Sequence, residues 1–357
     1  MQLSDFTTMR VGGPARLLVA PATEQELLDT VRDVWASGEP WLALGGGSNV
    51  VIGDEGFDGT VIRIVTRGIE VIPNGDTMHL RVQAGEPWDD LVAFTVAQGW
   101  AGIEALSGIP GSTGAAPIQN IGAYGQEIAS TLVSIDFFDY LAGELVRIPA
   151  SELALDYRTS AIKQGREGVV VAVELELVSG EGSVAYPQLA TALGVELGTR
   201  VPLGEVRQHV LALRASKGMV LDPADPDSVG CGSFFTNPIV SENFARGLPD
   251  AAPRWPVSPE PAPVAVPLGS EPAPVPYDDG RVKLSAAWLI EQAGIQRGFA
   301  LPGSRAAISS KHTLAITNRG GATAEQVAEL ARFVQACVVA QFGVLLHPEP
   351  VTVGLTI

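Results

Sequence analysis

The stretch Trp41-Leu42-Ala43-Leu44-Gly45-Gly46-Gly47-Ser48-Asn49-Val50-Val51-Ile52 decides how the chain is read. Four apolar residues make a strand, five small residues force a turn, and an apolar run resumes. Successive backbone N–H groups in such a turn can cradle a phosphate. The pattern fails the dinucleotide fingerprint, because Val50 stands where the third glycine belongs, and it fails the P-loop, which requires Gly-Lys-Ser/Thr. Taken alone, the piece reads equally as a phosphate cradle or a plain tight turn. Working outward, Ala15–Val19 reads as a strand. Thr23 and Glu26 form a capping-box pattern, followed by a helix with Leu27, Val31 and Val34 on one face and Gly38 just past its end. Thr60–Ile64 is a further strand, so residues 1–66 read as a small β-α-β-β unit.

A second α/β lobe follows over 67–200. Its strand candidates are His79–Ala84, Val133–Tyr140 and Val169–Val178, with a helix at Trp88–Gln98. Between them lies a loop rich in small residues. It opens Ser107-Gly108-Ile109-Pro110-Gly111-Ser112-Thr113-Gly114-Ala115-Ala116 and continues Pro117-Ile118-Gln119-Asn120-Ile121-Gly122-Ala123-Tyr124-Gly125. Small residues at this density let backbone approach a ligand closely, and Ser112, Thr113, Gln119 and Asn120 add side-chain hydrogen bonds. Together with the 45–49 turn, this loop suggests a bound cofactor that contains a pyrophosphate.

The third region, 201–344, begins with a helix over Val206–Ser216. Gly247–Asp279 holds ten prolines and reads as an exposed insertion loop without a catalytic role. A short helix at Ala286–Ala293 and a strand at Leu314–Thr317 follow. Thr323-Ala324-Glu325-Gln326 is a second capping box, opening a helix with Val327, Leu330, Val334, Val338 and Phe342 on one stripe that stops at Gly343. Residues 345–357 form a C-terminal segment.

The 357 residues carry 23 Lys plus Arg against 40 Asp plus Glu, a formal net charge of −17, with 46% hydrophobic residues. That length implies two or three domains, and the apolar content excludes wholesale disorder. The acidic balance argues against nucleic acid and against an anionic membrane surface as partners. Two cysteines, Cys231 and Cys337, make neither a disulfide framework nor a CxxC metal site and fit a reducing compartment. The opening residues lack a signal-peptide pattern and no apolar run is long enough to span a membrane, so the expected location is cytoplasmic. His79, His209, His312 and His347 lack metal-ligand spacing, and no metal is assigned.

Three short motifs could carry chemistry. Arg158, in Asp156-Tyr157-Arg158-Thr159-Ser160, could grip a carboxylate through two parallel hydrogen bonds, or be a surface Arg in a turn. Ser233, in Gly230-Cys231-Gly232-Ser233-Phe234-Phe235-Thr236-Asn237-Pro238, is not in a Gly-x-Ser-x-Gly elbow, so a hydrolase nucleophile is unsupported. A proton-donating hydroxyl and a structural turn serine both stay open. Glu349, between Pro348 and Pro350, is held extended, which suits a fixed acid or an ordinary surface position.

In this order the pieces resemble the UDP-N-acetylenolpyruvoylglucosamine reductase (MurB) family over nearly the whole chain. Thr8-Met9-Arg10-Val11-Gly12-Gly13-Pro14-Ala15, the Leu44–Val51 turn and the Ser107–Gly125 loop resemble its FAD-binding half. Tyr157-Arg158, Gly232-Ser233-Phe234-Phe235-Thr236-Asn237-Pro238 and Pro348-Glu349 resemble its three catalytic motifs. The resemblance implies an α/β (α+β) fold: an FAD-binding domain of the vanillyl-alcohol-oxidase (PCMH) type in two lobes, plus an α+β substrate-binding domain. It implies non-covalent FAD held by Arg10, Gly45, Gly46, Gly47, Ser48, Asn49, Ser107, Gly108, Ile109, Pro110, Ser112, Thr113, Gly114, Ala115, Gln119, Asn120, Gly122 and Ala123. It also implies a UDP-sugar site of Tyr124, Tyr186, Arg214, Lys217, Asn237 and Lys283, with Tyr186 resembling the mobile tyrosine of the longer subtype. The activity implied is UDP-N-acetylmuramate dehydrogenase, acting in peptidoglycan precursor synthesis as a monomer. NADPH would reduce FAD, hydride would pass to C3 of the enolpyruvyl group, Ser233 would protonate C2, and Arg158 and Glu349 would polarise the substrate carboxylate. The chain departs from the family at Ser310-Lys311-His312-Thr313, where a glutamine-bearing stretch is common, in the length of 247–279, and in the spacing from Lys217 to Ser233.

Two rivals are weighed against this. Another oxidase of the same flavin fold would need neither Ser233 nor Glu349 and would often carry a covalent flavin link, for which the glycine-rich loops hold no His. A non-catalytic nucleotide-sugar binder would keep Arg214 without needing the flavin loops.

Overall fold

The computed structural model describes residues 1–75, 77–257 and 280–357. In the first lobe, Phe57–Arg63 runs between Ala15–Val19 and Trp41–Leu44 in a three-stranded parallel sheet. The crossover is the helix Glu24–Ser37. Its N-terminal capping box is complete: Thr23 Oγ1 accepts from the Glu26 N–H at 3.2 Å, and the Glu26 carboxylate accepts from the Thr23 N–H at 3.3 Å. Leu27 and Val31 are fully buried and Val34 packs at the margin of the same cluster, as the helical spacing predicts.

The second lobe is an antiparallel sheet in the order Glu144–Pro149, Leu132–Asp139, Gly168–Ser179, Thr77–Gln83, Ile69–Asn74. Gly168–Ser179 is buried on both faces over residues 169–173. Val169 and Val171 pack on Leu27, Val31 and Ile62 of the first lobe, while Val170, Val173 and Leu175 join Leu80, Val82, Trp88 and Leu91. One strand therefore welds the two lobes, which explains its near-continuous apolar sequence. The two outer strands carry mostly exposed side chains and give no alternation to read, so the sequence reading lacks them.

In the third region, Arg281–Leu284 lies between Ile239–Ser241 and Arg254–Pro256. This corrects the reading of 247–279 as an exposed loop over its whole length. Leu248 and Ala252 are core residues, and Arg254–Pro256 is an edge strand, where a proline can sit without costing a ladder bond. Residues 258–279 lie outside the described residues. The strand expected at Leu314–Thr317 runs over Ile316–Asn318, because the Leu314 carbonyl is taken by the Phe234 N–H at 2.7 Å. The helix Leu203–Ala215 packs beside Pro187–Leu193 and Ala105, and Arg207 grips Asp89 at 2.6 and 2.9 Å, so its neighbours belong to the second lobe.

The long helix Ala324–Phe342 buries Val327, Leu330, Val334 and Val338 completely. Besides the Thr323–Gln326 capping box, its first turn is held from the first lobe: Asp54 accepts from the Ala324 and Glu325 N–H groups at 2.8 and 3.0 Å. Met9, Val11 and Val51 also enter the third region's core. Finally, Val351–Val353 returns to pair in parallel with Val50–Ile52, directly after the glycine-rich turn. This pairing carries Glu349 to the first lobe. No helix among the described residues is long and apolar enough to cross a membrane.

Candidate active site

The two small-residue loops come from different lobes and interlock. Ser48 Oγ donates to the Pro110 carbonyl at 2.9 Å. A Cβ on Gly46 would stand 2.6 Å from Gly111 Cα, and one on Gly45 would strike Ser112 Oγ. Ser107 and Thr113 are buried and spend their hydroxyls on the Glu104 and Glu86 carbonyls at 2.6 and 3.0 Å, so both brace the loop. Asn120 does the same: its amide binds Glu127, the Asp156 carbonyl and the Ala129 N–H. The N–H groups of Gly45 through Asn49 make no hydrogen bond among the described residues. Between the loops runs a cavity of ≈ 210 Å³, lined by Leu42–Val50, Ile109–Ser112, Gly114–Ala116, Gln119 and the apolar Ile64, Ala84, Trp88 and Val170. Five unpaired donors, glycines that admit no side chain and an apolar trough fit the pyrophosphate and ring of a flavin dinucleotide.

A second cavity, ≈ 120 Å³, adjoins the first and shares Ser48, Asn49, Ile109, Pro110, Gln119 and Ile121 with it. Arg158, Arg214, Ser233 and Glu349 meet in its wall. Arg158 holds Glu349 Oε1 with Nε at 3.1 Å, and its other two nitrogens donate to the Asn120 and Gly122 carbonyls at 3.2 and 2.7 Å. The guanidinium is thus fixed on the loop that also lines the trough. Burial pushes the Glu349 carboxyl above its ordinary pKa, against the pull of Arg158 and Lys163. The Ser233 segment reaches Glu349 through backbone pairing: the Glu349 N–H donates to the Phe234 carbonyl at 2.9 Å, and the Thr236 N–H to the His347 carbonyl at 3.0 Å. Cys231, two residues before Ser233, is buried and its thiol is pushed up to about 12 by that burial, which leaves it inert.

Backbone strain concentrates here. Five non-glycine residues among those described have positive φ, and Arg10 (54°), Asn120 (45°), Tyr124 (48°) and Arg158 (56°) are four of them. Each such residue costs about 1–2 kcal/mol, and residues held this way cluster at functional sites.

Close to Arg214, Tyr124 and Tyr186 meet edge to face at 5.7 Å, and Lys217 Nζ lies 5.6 Å from the Tyr124 ring centroid while donating to Gln188 Oε1 at 2.9 Å. Arg214 is 8% exposed, burial draws its pKa down to about 10, and its Nε has no partner among the described residues. A cation this buried and incompletely paired calls for an anion. Burial lowers His312 to about 4, with Lys217 and Arg297 acting in the same direction, so it is neutral.

The comparisons with known proteins agree with this geometry. Residues 15–149 match the model of an FAD binding domain, and residues 224–353 match the model of the UDP-N-acetylenolpyruvoylglucosamine reductase C-terminal domain. The enzyme of that name from Leifsonia xyli is 62% identical, covering 99% of this chain and 98% of the relative. The chain belongs to the UDP-N-acetylenolpyruvoylglucosamine reductase family. The enzyme of the same name from Thermobifida fusca is 49% identical, covering 99% and 97%. The crystal structure of UDP-N-acetylenolpyruvylglucosamine reductase (MurB) from Thermus caldophilus covers 99% of this chain and 97% of its own, at 26% identity and a TM-score of 0.63. The expected FAD-binding fold and the α+β domain are both present, and the protein is a flavin-dependent enzyme of this reductase family.

Most residues that the sequence singled out for this reductase converge on the two cavities. Some hold different places. Arg10 is exposed and lines neither cavity, although its strained backbone is clasped by Asn318 Nδ2 at 3.3 Å. Asn237 Oδ1 accepts from the Ala286 N–H at 3.0 Å, joining the Ser233 segment to the next helix. Lys283 Nζ stands 4.7 Å from the Tyr157 ring centroid. Lys163, Gln188 and Asp227 were not legible. Lys163 lines the flavin trough, Gln188 fixes Lys217, and Asp227, 4% exposed, anchors Ser310 from the wall of the second cavity. None lies in a motif that sets it apart, in a single sequence, from any solvent-facing Lys, Gln or Asp.

Proposed function

We propose that the chain uses NADPH to reduce the enolpyruvyl double bond of UDP-N-acetylglucosamine enolpyruvate, giving UDP-N-acetylmuramate, with Arg158, Glu349 and Ser233 as the catalytic residues. The observation that carries this reading is the second cavity. It joins a carboxylate-gripping Arg, a carboxyl of raised pKa and a serine hydroxyl, and it shares a wall with the flavin trough.

The chemistry that FAD would supply when bound is hydride transfer, from NADPH and then to C3 of the substrate. The N–H groups of Gly45 to Asn49 would hold its pyrophosphate. An enol ether is electron-rich and accepts hydride poorly, so the protein must draw charge toward the substrate carboxylate. Arg158 is preorganised for this by Asn120 and Gly122, and Glu349 keeps a proton over a wider pH range than an ordinary carboxyl. Fixed donors of this kind are worth about 3–4 kcal/mol each. Ser233 then gives its proton to C2. An isolated serine is a poor acid, and Arg158 and Arg214 in the same cavity wall favour its alkoxide. Arg214, Lys217, Tyr124 and Tyr186 would take the diphosphate of the UDP-sugar, which supplies the anion that the buried Arg214 lacks. Steady-state NADPH oxidation tests the reading: it should depend on the enolpyruvyl substrate, and a rate indifferent to that substrate would refute it.

A further inference from the structure

We propose that Lys163 is a positioning residue that sets the redox poise of the bound flavin by placing a positive charge at the ring end of the trough; the proposal rests on the flavin reading above. Lys163 lines the first cavity and donates through Nζ to the backbone carbonyl of Glu349 at 3.1 Å, so it stands where the trough meets the catalytic cavity. Hydride must cross at that junction, which puts the reactive ring there.

The local charge is positive by count. Arg158 and Lys163 face one carboxyl, Glu349. Arg158 already holds that carboxyl at 3.1 Å, and Lys163 reaches only the carbonyl of the same residue. Burial shifts the two groups in opposite directions, Lys163 down and Glu349 up, as for charges in a weakly solvated pocket. Lys163 makes no ion pair among the described residues.

The flavin changes charge during turnover. Uptake of a hydride from NADPH would leave the bound flavin with one more negative charge and release NADP⁺. Delivery of that hydride to C3, with the Ser233 proton going to C2, restores neutral FAD. A fixed cation at the ring end stabilises the anion and so raises the potential, since charge near the ring is one of the protein's means of tuning a flavin. A bare structural role would be different: the ammonium would only brace the 348–349 turn through the Glu349 carbonyl.

Lys163→Gln separates the two, because an amide can still donate to that carbonyl but carries no charge, while Lys163→Arg keeps the charge. The readouts are the midpoint potential of the bound flavin and its affinity for sulfite, which forms an adduct that also places negative charge on the ring. Lys163→Gln should lower the equilibrium constant for two-electron reduction about tenfold, which is ~30 mV, and weaken sulfite binding by a similar factor. Lys163→Arg should keep both near wild type. An unchanged potential in Lys163→Gln, or equal losses in Gln and Arg, would overturn the proposal while leaving the flavin reading intact. Loss of flavin from Lys163→Gln would overturn it too, by making Lys163 a residue that holds the cofactor. Wild-type protein without flavin absorbance would sink both readings.

Discussion

Replacing Ser233 by alanine isolates one step of the proposed reaction. Among the described residues the Ser233 hydroxyl has no hydrogen-bond partner, and the residue is only partly buried. Removing it therefore orphans no buried group and leaves no large void, so the stability change should stay within about 0.5 kcal/mol. The catalytic effect should be far larger. Loss of a general acid costs about 10²–10⁴-fold, or roughly 3–5 kcal/mol of barrier at 1.36 kcal/mol per decade. Only one half-reaction should pay it. NADPH reduction of the flavin needs no proton at C2 of the substrate, so that step should run near its normal rate. Rapid-mixing absorbance at the visible flavin band measures the two separately, with reoxidation by the enolpyruvyl substrate as the step that slows. Ser233→Cys should retain more of that step than alanine, because a thiol can still donate a proton. Equal slowing of both half-reactions, or a melting temperature lowered enough to explain the loss, would make Ser233 structural and refute the assignment.

Three other perturbations follow from the geometry. Gly46→Ala drives a methyl to 2.6 Å from Gly111 Cα, and overpacking of this kind costs about 1–3 kcal/mol; the expected result is flavin lost on gel filtration with secondary structure retained by circular dichroism. Glu349→Gln should leave flavin reduction by NADPH intact and slow reoxidation by the substrate. It should also flatten the pH dependence of stability. A carboxyl whose pKa is higher folded than unfolded adds stability while protonated and loses it as pH climbs through the folded value, so wild type should weaken relative to the Gln variant from the ordinary carboxylate range upward in urea melts. Asp54→Ala removes two acceptors from the first turn of Ala324–Phe342 and should cost about 1–2 kcal/mol, read as a lower urea midpoint with both half-reactions unchanged.

Local chemistry was legible in the sequence and tertiary closure was not. The capping boxes at Thr23 and Thr323, the stripe Val327–Leu330–Val334–Val338, and the strands Ala15–Val19 and Trp41–Leu44 depend on residues a few positions apart, and all are present as read. The edge strands escaped because their exposed faces carry no period. Arg254–Pro256 escaped because ten prolines masked a strand that needs an N–H on one side only. The motifs for Arg158, Ser233 and Glu349 were visible as residue types, but nothing in 157–158, 230–238 or 346–351 says that they meet.

What makes them meet is backbone, and it accounts for the order of the site. Val351–Val353 pairs with Val50–Ile52, so the chain's last strand is seated on the glycine-rich turn that opens the trough. Asn49 then acts at both ends of the junction: its carbonyl accepts from the Val351 N–H at 3.0 Å and its Nδ2 donates to the Glu349 carbonyl at 3.2 Å. The Ser233 segment hydrogen-bonds along the same 347–349 stretch, and Lys163 closes on Glu349 from the trough side. A single residue, Glu349, thus ties the cofactor trough, the Arg158 loop and the Ser233 segment through its carbonyl, its carboxyl and its N–H respectively. The flanking prolines, which remove two N–H groups and stiffen the chain, suit a residue that serves three partners at once. Side-chain substitutions at Glu349 leave the backbone links in place, so they alter chemistry while the trough keeps its shape.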